Sequence, residues 1–294
     1  VRGARENNPR DVTVAIPLGL LVCVTGVSGS GKSSLVDQVL HRNLRRQFGL
    51  GESEPGACDG IDGVALLTGV TLVDQAPLGA SSRVNAATYM GVLEPLRKLF
   101  AKTPEARERG LKPTSFSFNS ATGACPVCEG AGYEKVEMQF LPDAFVKCGA
   151  CDGRRFRAEV LEVRCRGFSI ADALDLPAAD VARLFGDAPG LRPALQPMLD
   201  LGLGYLSLSQ PAPTLSGGEA QRLKLAQALA EAGTAPGRLY LLDEPTTGLH
   251  AADVAVLVGA MHRLVDAGHS VVVVEHNTEV ALASDWILDL GPEA

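Results

Sequence analysis

The chain has 294 residues, 46% of them apolar, and a formal net charge of −7. That apolar share supplies a sizeable core in one large or two smaller domains. The acidic balance argues against a nucleic-acid surface spread over the whole chain, and no apolar run approaches the roughly 18 residues of a bilayer-crossing helix. No secretory leader is visible, so we expect a cytoplasmic protein with no membrane partner. The first residues already read as mid-domain sequence, which points to a fragment of a longer chain.

Taken in order, Asp11–Ile16 alternates like a strand with one buried face, and Leu20–Thr25 is a continuous apolar strand. Lys32–Phe48 predicts a helix with Leu35, Val39 and Leu40 on one stripe, and 49–63 is a Gly-rich acidic loop. Val70–Val73 predicts a short strand, and Asn85–Ala101 a helix. From about 111 to 157, Ser, Thr, Gly and paired Cys replace this rhythm. Leu161–Arg166 predicts a short strand, and Ile170–Leu201 several short amphipathic helices broken by Pro and Gly. The α/β alternation then returns as helix Glu219–Ala232, strand Leu239–Leu242, helix Ala252–Asp266, strand Ser270–Val274 and helix Thr278–Ala283. Such alternation implies a mostly parallel sheet covered by helices on both faces.

Gly26-Val27-Ser28-Gly29-Ser30-Gly31-Lys32-Ser33 follows an apolar strand and opens a helix, the context a phosphate loop requires. Its glycines let backbone N–H groups turn inward, and the helix N-terminus adds partial positive charge. Gly26, Ser28, Gly29, Ser30, Gly31, Lys32, Ser33 and Ser34 are therefore the candidate ATP-binding set, with Lys32 reaching the β- and γ-phosphates and Ser33 ligating Mg²⁺. The strand Leu239–Leu242 ends in Asp243-Glu244. Asp243 fits the Mg²⁺ shell, and Glu244 fits a group that orients or deprotonates the attacking water.

Cys125-x2-Cys128-x19-Cys148-x2-Cys151 has the spacing of a four-thiolate zinc site. Four thiolates leave no open position, so the metal is expected to be structural. The 19-residue spacer is long enough for a hairpin, with Tyr133–Met138 as one arm. Two redox CxxC pairs are the alternative. Of the other cysteines, Cys23 reads as a small core residue. Residues 83–166 carry 14 Lys/Arg against 10 Asp/Glu, an excess of +4 that leaves −11 on the rest. Around the knuckles Lys135, Lys147, Arg154, Arg155 and Arg157 stand among Tyr133, Phe140, Phe145 and Phe156. That mixture suits phosphate contact and base stacking, or a solvated face over a small core.

Leu215-Ser216-Gly217-Gly218-Glu219 with Gln221-Arg222 resembles the signature of the ABC ATPase family. The resemblance implies a P-loop ABC ATPase of α/β class, interrupted by a helical signature domain that carries the zinc-binding insert. It implies that Gln75 is the lid glutamine and His276 the switch histidine, both catalytic beside Glu244. It also places Ser216, Gly217 and Gly218 on a nucleotide held by another unit, so the chain needs a second ABC unit. The expected divisions are residues 1–82 and 210–294 for the ATP-binding core, and 83–209 for the signature-domain insertion with its zinc module at about 111–157.

GVSGSGKSSL, VDQAPLG, SFSFNSATGACPVCEGAG, LSGGEAQRLKLA, LLDEPTTGLH and VVVVEHN together resemble the C-terminal ABC half of the UvrA family, the damage-recognition ATPases of bacterial nucleotide excision repair. This implies ATP, Mg²⁺ and Zn²⁺ as cofactors, and damaged or distorted duplex DNA as a partner. Its other implied partners are an N-terminal ABC half, a second protomer and, for the full protein but not through this segment, UvrB. The implied DNA-facing residues are Arg83, Arg97, Lys98, Lys112, Lys135, Arg154 and Arg155. A UvrA-like paralogue serving drug tolerance and an ABC ATPase with a protein-binding zinc adaptor are the alternatives. A transporter ATPase has no need of a four-cysteine insert, and the long heptads of an SMC-type ATPase are missing.

Overall fold

Runs such as Leu21–Val24 and Val271–Val274 have no polar face, so they belong in a sheet covered on both sides. A computed structural model of the chain describes residues 1–51, 54–79, 81, 83–136, 144–232 and 235–291, and only the backbone at 135, 136, 144, 145 and 252. The chain forms two compact units, Val1–Ala76 with Gly217–Ala294, and Pro77–Ser216.

The first unit holds strands β1 (Leu21–Gly26), β2 (Gly69–Val73), β5 (Arg238–Asp243), β6 (Ser270–Val274) and β7 (Trp286–Leu290) in the order β2-β5-β6-β1-β7. Every neighbouring pair is parallel. Val22, Val24, Leu239, Leu241, Val272 and Val274 share one face and pack on Leu35, Val36, Val39, Leu40 and Leu44 of the helices Ser34–His41 and Arg42–Gln47. The alternate residues of β1, β5 and β6 are also buried, and the helices Ala251–Asp266 and Thr278–Ala283 lie against β1. The strands end together at Gly26, Val73, Asp243 and Val274, which gathers the phosphate loop and both carboxylates at one edge of the sheet.

The second unit is built around Leu96, Phe100, Phe116, Phe185 and Leu191, all nearly fully buried. Phe100 packs on Phe116 and Phe185 with ring centroids 5.8 and 6.4 Å apart. The spacer between the cysteine pairs forms an antiparallel hairpin of β3 (Tyr133–Val136) and β4 (Ala144–Lys147), with Tyr133 opposite Lys147.

Four predicted elements come out differently. In Asp11–Ile16 the pairing is broken into isolated contacts: Val12 pairs with Ala4 and Val14 exchanges backbone hydrogen bonds with Val1, while Asp11 takes φ +60° and Pro17 offers no N–H to extend the ladder. The Lys32–Phe48 helix opens with wide π-type turns over Ser34–His41 before it becomes α-helical at Arg42. The Asn85–Ala101 helix is two, Ala86–Tyr89 and Leu93–Phe100, broken where Gly91 takes φ +70°. In place of a strand at Leu161–Arg166, the helix Ala158–Glu162 buries Val160, and Cys165 turns back on Phe168 through Arg166 and Gly167 at positive φ. Strand β7 and the helix Pro104–Glu108 had no sequence signal.

Candidate functional site

The phosphate loop starts where β1 reaches Gly26. A Cβ there would stand 2.3 Å from the Leu290 carbonyl oxygen, and φ is +139°, so only glycine fits. Lys32 is buried, and its Nζ donates to the carbonyls of Gly26 and Val27, both at 2.9 Å. The ammonium thus sits inside the curl of its own loop. Ser30 Oγ is buried there with no hydrogen-bond partner. A buried cation and an unspent hydroxyl fit a phosphate group, which accepts from both. Ser33, Asp37, Asp74 and Asp243 line one cleft of about 440 Å³ beside the loop.

An N-terminal strap, without sequence signal, holds the loop from outside. Asn8 Nδ2 donates to Gly29 O, Asn7 Nδ2 donates to Ser34 Oγ at 3.2 Å, and Pro9 packs where a Cβ on Gly31 would stand 2.5 Å away.

Asp243 ends β5 with its carboxyl held above the ordinary carboxylate range by burial, then by Glu244, Asp37, Asp74 and Glu275. A divalent cation relieves such crowding, so the residues fit Mg²⁺. Glu244 turns away from the strand at φ +44°, a conformation that costs energy in any non-glycine residue. Its Oε1 lies 3.7 Å from His276 Nε2, and both side chains are half exposed. Between them Glu275 is only 3% exposed. Its Oε1 accepts from Thr246 N at 2.8 Å, and its Oε2 from His276 N at 2.9 Å and Asn277 N at 3.2 Å. One buried carboxylate thus fixes the loop after Glu244 and the turn that carries His276.

Gln75 lies against Gly217, whose Cβ position is 3.3 Å from Gln75 Oε1. Gly217 and Gly218 open the helix Gly217–Glu231, and Ser216 closes the second unit. That helix is tied to the strand ends from inside. Gln221 Nε2 donates to Val73 O at 3.0 Å and Asp243 O at 2.7 Å. Lys224 Nζ pairs with the Asp74 carboxylate and donates to Ala76 O at 2.8 Å, which brackets Gln75.

Cys125, Cys128, Cys148 and Cys151 are all buried, and their sulfurs lie within 4.8 Å of one another. Cys128 Sγ and Cys151 Sγ are 3.7 Å apart, close to the ~3.8 Å edge of a tetrahedron with 2.3 Å metal–sulfur bonds. The four form no disulfide. The two knuckles repeat one backbone: each second cysteine is followed by an acidic residue and a glycine at positive φ, Glu129-Gly130 and Asp152-Gly153. Burial pushes the Cys148 thiol up and Cys151 up to about 12. At Cys125 burial is outweighed by the backbone N–H groups of Cys128 and Val127, and the thiol sits below its ordinary value. Four crowded thiols resist joint ionisation until a cation joins them, so the donor set fits zinc. Cys23 is fully buried in β1, with its thiol pushed up to about 11 by burial.

Over its whole length the chain is 52% identical to UvrABC system protein A of Thermus thermophilus, and it spans 31% of that protein. It is 50% identical to UvrABC system protein A of Methanothermobacter thermautotrophicus, of which it spans 30%. The chain is a UvrA-type segment. The crystal structure of UvrA2 from Deinococcus radiodurans superposes on it with a TM-score of 0.87 at 47% identity, covering 98% of this chain and 35% of that one. No protein-family model matches the chain. The fold is that of an ABC ATPase, α/β with a parallel sheet.

The basic residues of this UvrA-type segment are partly committed elsewhere. Arg83 donates to Glu129 O at 3.2 Å. Arg97 donates to Pro113 O at 2.9 Å and pairs with Glu94 at 3.2 Å, so its role is largely structural. Lys98 pairs with the same Glu94 at 3.3 Å but is 63% exposed. Lys112 is exposed, and Arg154 stands 3.5 Å from Asp172. The Arg155 guanidinium is half-buried over the Phe118 ring, 5.3 Å from its centroid. Phe156 is core, edge-on to Phe118 at 5.7 Å, and offers no face for a base. The side chains of Lys135 and Phe145, and all of Phe140, lie outside the described residues. No helix among the described residues is long and apolar enough to cross a membrane.

Proposed function

We propose that this UvrA-type segment is the ATP-binding and hydrolysing half of a damage-recognition protein of nucleotide excision repair, and that it meets distorted DNA with its cysteine-bearing unit. One observation carries the ATPase reading. At the tips of parallel strands, a buried Lys32 and the orphaned Ser30 hydroxyl lie in the loop beside Asp243, and Glu244 and His276 face each other at 3.7 Å.

In this reading the loop amides of 28–34 and Lys32 hold the β- and γ-phosphates, and Ser33 and Asp243 hold Mg²⁺. Mg²⁺ supplies charge neutralisation on the phosphate oxygens when bound. Glu244 orients the attacking water and takes its proton, His276 steadies the γ-phosphate side, and Gln75 senses both from its lid. Ser216, Gly217 and Gly218 serve the nucleotide of a partner unit, so turnover requires an N-terminal ABC half or a second protomer. The four cysteines hold a structural Zn²⁺. UvrB is a partner of the whole protein, not of this segment.

Glu244→Gln tests the chemistry: assembled with a second ABC unit, it is expected to retain ATP while hydrolysis falls by two to four orders of magnitude, roughly the worth of a general base. Turnover at the unsubstituted rate removes Glu244 from this role. The DNA part is tested separately by titrating the zinc-loaded chain with a distorted duplex at several salt concentrations. No affinity at low salt refutes that part and leaves the ATPase standing.

A further inference from the structure

A second cavity, of about 290 Å³, lies entirely in the unit Pro77–Ser216, beside the second cysteine knuckle. Its wall includes Asn85, Phe118, Lys147, Arg155, Asp175 and Ser209. Two buried donors there have no partner: Asn85 Nδ2 and Arg155 Nη1. Asn85 is 0% exposed. A buried donor left unpaired costs on the order of 1–3 kcal/mol, and the cavity holds two.

Neither group can escape by turning. Asn85 Oδ1 accepts from Thr88 N at 2.9 Å, and Thr88 Oγ1 accepts from Asn85 N at 2.9 Å, a reciprocal cap that fixes the amide orientation. Flipping Asn85 would set its NH₂ against the Thr88 N–H. The Arg155 side chain leaves a backbone at φ +71°, and its guanidinium lies over Phe118. Its carbonyl accepts from Cys125 N at 2.8 Å, so the residue is anchored to the first knuckle as well. The capping residue of one helix and an arginine of the cysteine module thus line one space, each with a fixed, unspent donor.

A partner must be an acceptor. Guanidinium and amide N–H groups on one wall suit an oxyanion, whose oxygens take one bond from each. Lys147 and Arg154 add positive charge to the lining, and Arg154 is already shared with Asp172. The carboxylates of the lining, Asp152 and Asp175, are both exposed, and Asp175 attracts the Arg155 guanidinium without a hydrogen bond to Nη1. We propose that this cavity is a phosphate-binding site, with Asn85 Nδ2 and Arg155 Nη1 as its donors and a phosphate of nucleic acid or a free phosphate as its ligand. Such a pocket is more than a basic face, and it takes phosphate whether or not the phosphate loop hydrolyses ATP.

The test uses the full chain with zinc bound and Lys32→Ala, so that the phosphate loop does not report. Inorganic phosphate is titrated against chloride at matched ionic strength. At ten times its Kd it is expected to raise the unfolding midpoint of the cysteine-bearing unit by roughly 3–5 °C. Asn85→Ser keeps a capping oxygen but removes the Nδ2 donor, leaving only a shorter hydroxyl, and Arg155→Gln removes the charge; each is expected to weaken phosphate by about tenfold or more. A purely structural role lowers the midpoint equally with and without phosphate, and that result overturns the site. So does a phosphate shift no larger than that of chloride, or one retained in both variants. Distorted duplex DNA separates the sources. If DNA supplies the group, inorganic phosphate competes with it, and Arg155→Gln lowers the slope of log affinity against log salt by about one. If the ligand is free phosphate, DNA affinity is unchanged in both variants while the phosphate shift is lost.

Discussion

Glu275 follows a run of four valines and is almost fully buried, yet it touches neither phosphate loop nor cleft. Its carboxylate collects three backbone N–H groups, from Thr246, His276 and Asn277, at 2.8, 2.9 and 3.2 Å. Glu275→Gln preserves shape and one acceptor oxygen. The amide oxygen can stay on the N–H groups of His276 and Asn277, but an NH₂ then faces the N–H of Thr246. One charge-assisted bond becomes two unsatisfied donors, at about 1–3 kcal/mol each. Part of this is offset, because removing a buried negative charge relieves Asp243. The net expectation is a loss of about 2–4 kcal/mol. For a unit of this size that lowers the midpoint by roughly 5–12 °C.

The functional consequence follows from the same bonds. Without the shared acceptor, the Thr246 loop and the His276 turn separate, and the 3.7 Å approach of Glu244 to His276 is no longer held. Thermal unfolding by circular dichroism measures the first effect. ATP turnover, assayed with a second ABC unit present, measures the second, with kcat expected to fall at least tenfold while Kd for ATP changes little, because Glu275 contributes nothing to the phosphate loop. A Glu275→Gln protein within 1 °C of the unsubstituted midpoint, taken here as roughly the resolution of such melts, would refute the reasoning. So would a loss confined to ATP affinity.

Three further outcomes are expected. Asp243 has a raised folded pKa, so its stability contribution is full below the ordinary carboxylate range and is lost as pH rises through the raised value. Asp243→Asn should therefore melt higher than the parent at neutral pH without nucleotide, converge with it on acidification, and bind ATP in Mg²⁺ about ten- to hundredfold more weakly; a lower neutral-pH midpoint contradicts this. Gly130→Ala sets a Cβ 1.9 Å from Phe118 O at φ +83°, and should cost about 2–4 kcal/mol and most of the metal affinity, whereas Gly149→Ala, with open space around it, should be neutral by metal content and melting. Removing metal by chelation should make four more cysteines reactive toward a thiol reagent at neutral pH, and unchanged reactivity argues against the cluster of Cys125, Cys128, Cys148 and Cys151 as the ligand set.

What the residues disclosed directly were features whose physics is local. A continuous apolar run, a glycine-rich turn and a following helix identify the phosphate loop, because each step is a constraint on neighbouring backbone. The cysteine spacing works in the same way, since two CxxC turns and a hairpin-length spacer bring four sulfurs together. The misread elements depend on distant partners. Asp11–Ile16 alternates correctly, but it meets the first residues of the chain only in isolated pairings, Val12 with Ala4 and Val14 with Val1. Strand β7 alternates poorly because it is an edge strand, with Trp286 and Ile287 half exposed and only Leu290 buried. Its place is fixed by pairing with β1 and by the Asp285 carboxylate, which accepts from Leu21 N at 2.8 Å.

The residues whose role no motif discloses share a second property: their function lies in what they hold. Asn8 holds the Gly29 carbonyl and Asn7 the Ser34 hydroxyl, Glu275 serves two turns, and Gln221 and Lys224 serve the ends of β2 and β5 and the segment around Gln75. Each is a polar side chain that, taken alone, reads as a surface residue or a cap. Their common placement explains how a helix that begins with Gly217-Gly218 bears on the nucleotide cleft of its own unit. Gln221 and Lys224, four and seven residues into that stretch, hold Asp243 O, Val73 O and the two neighbours of Gln75. A displacement of the helix therefore moves the Asp243 end of the cleft and the lid together. On the roles proposed above, contact between Gly217-Gly218 and a partner's nucleotide alters the position of Asp243 through two hydrogen-bonded side chains, with no longer path required.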